Sequence, residues 1–134
     1  MPDSVKLSAV LRATPQQVYE AWLSSREHTA FTGDAAAIDP KVGGEYTAGS
    51  GYIHGVTLEL EPYRHIVQSW HSTDFPDDAE DSRLEITLEE TPRGTRLTLA
   101  HTNIPDGQGT MYRDGWREFY LTPMRVYFSS KGQA

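Results

Sequence analysis

Alternating apolar and polar positions open the chain. In "SVKLSAVLRA" Val5, Leu7, Ala9 and Leu11 share one side, the pattern of a half-buried strand ending near Ala13. "TPQQVYEAWL" then changes the period. Thr14 takes the N-cap, Pro15 the first helical position, and Gln17 completes a Thr-x-x-Gln capping box. Val18, Ala21 and Trp22 recur at helical spacing as the buried stripe of that helix, and a second short helix over Ser25 to Thr32 is stopped by Gly33. From "AAAIDP" onward the period is two, and turn residues cut the chain into "VGGEYTAGSG", "YIHGVTLELEP", "RHIVQSWHS", "SRLEITLEE" and "TRLTLAHT". "TPRG", residues 91 to 94, joins the last two as a hairpin with Pro92 at its corner. Helical spacing returns between Asp106 and Thr110 and runs towards Ser129. The pattern predicts an α+β fold. A curved antiparallel sheet of about six to seven strands wraps a long C-terminal helix, with two short helices after strand one.

Composition narrows the classes. A chain of 134 residues fits a single domain over residues 1–134. Mean hydropathy is -0.56, and no run approaches the ~18 apolar residues of a membrane span. Nineteen acids against twelve bases leave a net charge of -7, which opposes phosphate-backbone binding, so nucleic acid is not an expected partner. Zero cysteines rule out disulfides and thiolate chemistry, and "MPDSVKLSAV" lacks the basic and apolar regions of a secretory signal; a cytoplasmic protein is the expectation. The acid-rich "DFPDDAEDS", residues 74 to 82, reads as a solvated loop.

Strand phase selects the inward side chains. Val56, Leu58 and Leu60 place His54 on their face; Ile66 and Trp70 place Gln68; Leu97 and Leu99 place His101. Three polar groups thus join an apolar face, where an unmade hydrogen bond costs about 1 to 3 kcal/mol. Either they satisfy one another, a backbone carbonyl or a trapped water, or they line a cavity and orient the polar end of a ligand. On the final helix an advance of ~100° per residue puts Tyr112, Trp116, Phe119, Tyr120, Pro123 and Tyr127 on the stripe facing the sheet. Gly115, a poor helix former, sits at its edge, where the missing side chain either lets the helix backbone approach a strand or leaves room beside the Trp116 indole, and Pro123 is expected to kink the helix. Leu121, Met124 and Phe128 form a second apolar strip, read as capping a sheet edge or as the contact of a weak homodimer.

Motifs of catalysis are missing. There is no His-Glu-x-x-His, Gly-x-Ser-x-Gly, complete Gly-x-Gly-x-x-Gly or phosphate-binding Gly-Lys-Ser/Thr run, and the five histidines have no close ligand spacing, so neither metal nor cofactor is expected. One enzymatic alternative is proton transfer on a carbonyl-containing ligand, with His101 as acid or base beside Tyr46 or His54.

"TPQQVYEAW", "DPKVGGEY", "GVTLELEPYRHIVQSW", "GTRLTLAHTNIPD" and "GWREFYLTPMRVYF", in that order, resemble the family named for activators of the ninety-kilodalton heat-shock-protein ATPase, within the START-like or SRPBCC superfamily. The resemblance implies a helix-grip fold and binding of an apolar or amphipathic small molecule between sheet and helix. Where that family carries paired tryptophans at the end of helix two, this chain has Phe31 and Thr32 before Gly33. The sequence therefore points to a ligand cavity lined by Tyr46, His54, Gln68, Trp70, His101, Trp116 and Tyr120. An enzyme using His101 and a chaperone-associated interaction module are the alternatives.

Overall fold

In the computed structural model, which describes residues 2–131, seven strands form one antiparallel sheet in the order β1-β7-β6-β5-β4-β3-β2. β1 (Asp3–Leu11) pairs with β7 (Gly94–Ile104), the last strand in sequence, so α1 (Pro15–Leu23) and α2 (Ser25–Thr32) carry the chain to the opposite edge at β2 (Ala37–Ile38). β3 (Glu45–Ala48), β4 (Ile53–Glu61), β5 (His65–Ser72) and β6 (Ser82–Thr91) then follow as neighbours. The C-terminal rod comprises α3 (Gly109–Trp116), a π-helical turn over Arg117–Leu121, and α4 (Thr122–Lys131). This is the helix-grip arrangement that the sequence predicts. No helix among the described residues is long and apolar enough to cross a membrane.

Local chemistry sets the boundaries. The Thr14 hydroxyl accepts the Gln17 N–H while the Gln17 side chain accepts the Thr14 N–H, so the expected capping box starts α1. Gly33 ends α2 with φ 82°, a left-handed conformation that favours glycine. In the β6–β7 hairpin, a Cβ on Gly94 would lie 2.0 Å from the Leu11 carbonyl oxygen. The Asp3 carboxylate accepts the N–H groups of Gly107 and Gly109, tying the start of β1 to the start of α3.

Two irregularities move side chains away from the positions expected of regular elements. In β4, Thr57 pairs with Gln68 but Glu59 pairs with Val67, leaving Leu58 as the extra residue of a bulge. The inward residues before the bulge are Ile53 and the fully buried Thr57; Leu58 is 42% exposed and Leu60 turns back to the core after it. His54 is therefore exposed, its ring 5.1 Å from that of His71 on the outer face, and the expectation that it shares the inward face is corrected.

The second irregularity is the π turn. Thr122 N–H donates to the Arg117 carbonyl five residues back, and Pro123, next in the chain, has no N–H to offer. One extra residue per turn steps the buried stripe round the rod. Tyr112, Trp116 and Tyr120 face the sheet as expected, but beyond them Leu121, Met124 and Phe128 fill the core, while Phe119 is 56% exposed and Pro123 and Tyr127 are half-buried. Of the two roles expected of that second apolar strip, capping a sheet edge or meeting another copy, its burial corrects the homodimer contact through Phe128.

Candidate functional site

Buried aromatic rings meet where α3 and the π turn cross the sheet. Trp116 lies 5.7 Å from Trp70, 4.7 Å from Tyr120 and 6.4 Å from Trp22 between ring centres, and Trp70 lies 5.0 Å from Tyr112. These rings do not fill the space. A cavity of about 270 Å³ opens beside them. Its inner wall is Trp70 of β5, Ile53 of β4, and Tyr112, Trp116 and Tyr120 of the rod, all buried. Residues nearer solvent complete it: Thr32 at the end of α2 and Asp34 just after it, Gly49 and Tyr52 before β4, and Phe119. Gly115 also borders the space, and a Cβ placed there would meet only the Phe119 ring, at 3.9 Å. Glycine at 115 leaves the wall beside Trp116 open.

The polar residues behind the wall hold it in place. Trp116 Nε1–H donates to His101 Nδ1 at 3.0 Å; His101 Nε2–H donates to Ser82 Oγ at 2.7 Å; and Ser82 Oγ–H donates to the Trp70 carbonyl at 2.8 Å. One chain of bonds thus links the two cavity tryptophans and fixes the imidazole tautomer. Burial pushes His101 down to about 3, so the ring is neutral at ordinary pH. With both nitrogens engaged and no atom on the cavity wall, His101 positions the aromatic wall and has no access to a ligand proton. The acid–base alternative loses its geometric basis.

A second set of bonds holds Tyr120. Its hydroxyl donates to His28 Nε2 at 2.7 Å, and His28 Nδ1–H donates to the Trp22 carbonyl at 2.8 Å. Burial pushes His28 down to about 4, against the opposing effect of that carbonyl, and raises the Tyr120 hydroxyl, which the negative charge of Asp34 raises further. Trp22 in turn donates to Gln68 Oε1 and Gln68 donates to Thr57 Oγ1, so both the oxygen and the nitrogen of Gln68 are engaged in the core. The Tyr46 hydroxyl donates to the Ser69 carbonyl at 2.6 Å; burial raises it well above the ordinary tyrosine value.

Of the seven residues the sequence selects, Trp70, Trp116 and Tyr120 line the cavity, Tyr46, Gln68 and His101 lie buried outside it, and His54 is on the outer face. Sequence reasoning missed Asp34 and Tyr52, which sit in turns where no period marks a face, and it left Thr32, the last residue of α2, out of the cavity lining. It also missed His28, although the three-residue step to Phe31 carried a helical signal. Among the described residues no group of three or more His, Cys, Asp or Glu side chains is placed to hold a metal ion.

Residues 12–129 match the family model described as "Activator of Hsp90 ATPase homolog 1-like protein". The chain is 23% identical over 124 residues to the human activator of 90 kDa heat shock protein ATPase homolog 1, covering 92% of this chain and 36% of that protein. It thus spans about a third of the length of that curated relative. Its fold is similar to that of an HSP90 activator from Plasmodium falciparum, with a TM-score of 0.83 and 24% identity over 94% of this chain and 96% of that one. It is likewise similar to the Aha1 dimer from Colwellia psychrerythraea, with a TM-score of 0.77 and 14% identity over 94% and 96% of the two chains.

Proposed function

We propose, from the premise that the chain belongs to the family of activator of Hsp90 ATPase homolog 1-like proteins, that it is a single START-like unit over residues 1–134 which binds an apolar or amphipathic small molecule in the cavity between sheet and C-terminal rod. The observation that carries this reading is Gly115. Its φ is outside the left-handed range and its Cβ position is uncrowded, so the backbone does not demand glycine there. A larger residue would favour the helix by about 1 kcal/mol, and what glycine supplies instead is space beside Trp116.

The cavity volume of about 270 Å³ exceeds the ~150 Å³ that admits benzene and lies just under the ~300 Å³ where drug-sized pockets begin. The fitting ligand has one or two rings. Gly115→Leu is expected to raise the melting temperature by about 4 °C through helix propensity while lowering affinity for naphthalene about tenfold or more, read by tryptophan fluorescence. Unchanged naphthalene binding in Gly115→Leu would place the site elsewhere. Native mass spectrometry of freshly purified protein then weighs whatever molecule the cavity retains.

A chaperone-associated role is the second reading, favoured by relatives named as activators of the heat-shock-protein ATPase and of HSP90. Its test is steady-state ATP hydrolysis by an added ninety-kilodalton heat-shock protein, with no change on titrating this chain counting against it. With Phe128 in the core, a weak homodimer has the sheet edges β1 and β2 as its route, and a single monomer mass in equilibrium sedimentation would remove it. A cytoplasmic location accords with the lack of cysteine and is part of the same proposal.

A further inference from the structure

The side chains around the cavity differ in what they have left to offer a ligand. Tyr52 donates to Asp74, Tyr112 to Gln108, Tyr120 to His28, Trp116 to His101, and Thr32 to the His28 carbonyl. Each of those donors is spent within the protein. Trp70 is different. Its residue is 3% exposed, yet its Nε1–H makes no hydrogen bond among the described residues. No sealed side-chain nitrogen or oxygen among the described residues lacks a partner, so this N–H must border accessible space, and the space that Trp70 lines is the cavity. A buried indole N–H ordinarily finds an acceptor.

At the solvent side stands Asp34, among the described residues the one charged side chain on the wall, its carboxylate in no hydrogen bond or ion pair with them. An anionic ligand would face that carboxylate in a protein of net charge -7, whereas a cation or N–H donor would complement both.

We infer that the cavity selects a flat, one- or two-ring molecule of defined polarity, with a hydrogen-bond acceptor received by Trp70 Nε1–H at the inner end and a cationic or hydrogen-bond-donating group received by the Asp34 carboxylate at the mouth. This rests on the cavity being the binding site and adds the class of ligand and its direction. Acceptors such as a ring nitrogen or a carbonyl fit the inner end, and a protonated amine fits the outer.

Two matched probe pairs test it. Quinoline differs from naphthalene in one ring nitrogen, and 1-naphthylmethylamine differs from 1-naphthoate in the sign of its charge. In the native chain the three tryptophans give three indole N–H resonances, of which those of Trp22 and Trp116 are already hydrogen-bonded. Quinoline is expected to move the Trp70 indole proton downfield and to bind about fivefold or more tighter than naphthalene, with that advantage lost in Trp70→Phe. 1-Naphthylmethylamine is expected to bind about tenfold tighter than 1-naphthoate, with the ratio collapsing towards one in Asp34→Asn and with added salt. Should Trp70→Phe fail to fold, the downfield shift in the native protein decides the inner contact by itself. If all four probes bind and perturb Tyr112 and Trp116 without regard to nitrogen or charge, the polarity is wrong while the cavity stands. If none perturbs those residues, the binding reading itself falls.

Discussion

Phe128→Asp is expected to abolish cooperative folding at neutral pH. Phe128 is 2% exposed and packs with the fully buried Met124 against the sheet, so the substitution removes a large apolar side chain and leaves a carboxylate in its place. Truncating a core phenylalanine costs about 3 to 5 kcal/mol, and a buried unpaired charge adds several more. Small domains have about 5 to 15 kcal/mol in total, so little or none remains. Val126→Asp, on the same helix at a position 64% exposed, is expected to stay within about 0.5 kcal/mol of the parent. Urea denaturation followed by circular dichroism compares the two. A folded Phe128→Asp protein with unchanged midpoint would mean that this strip faces water, and that the buried stripe continues straight through residues 117–121.

That substitution separates the two ways of reading the rod, and shows why one part of the fold was legible and another was not. Caps, turns and periods are local: Thr14 with Gln17, Gly33 and the Pro92 hairpin each act on neighbours in the chain, and each appears where the sequence places it. Trp70, Gln68 and His101 follow from counting by two along unbroken strands. Counting fails where one residue is inserted. The bulge at Leu58 reverses the phase of β4 and sends His54 outward, and the π turn rotates Leu121, Met124 and Phe128 inward and Phe119 out. Both insertions have a tertiary context. A Cβ on Gly55 would lie 2.0 Å from the Ser69 carbonyl oxygen and 2.8 Å from the Tyr46 ring, so the ring that covers this glycine helps set the inward phase before the bulge. Pro123 was a visible warning of the second, though its missing donor shows where the helix is disturbed and leaves open by how many residues. Asp34 could not be read at all, because its nearness to Tyr120 comes from the packing of α2 against the rod.

Lowering the pH from 7 to 5 is expected to remove on the order of 3 kcal/mol of stability, chiefly through two histidines that no motif marks as a pair. His28 and His101 have folded values of about 4 and about 3, both pushed down by burial, against about 6.5 in the unfolded chain. The unfolded state therefore binds more protons between those limits. Their stabilising contribution is fully present above about 6.5 and declines as pH falls towards the folded values, at up to about 1.4 kcal/mol per unit for each ring. Glu85 works in a lower window: Arg83 and His65 hold its carboxyl below the usual value, so its contribution is lost only under more acidic conditions. Urea midpoints measured from pH 8 to pH 5 should fall steeply below about 6.5, and His101→Gln should remove about half of that slope whatever its stability at pH 8. A flat profile in the parent would mean that neither imidazole is sealed. Protonation would also oblige His101 Nδ1 to give up the Trp116 N–H it accepts and His28 Nε2 to give up the Tyr120 hydroxyl. The same two bonds hold the aromatic wall, so capacity for a neutral probe such as naphthalene should decline in step with the folded fraction, with no separate binding-competent form surviving in acid.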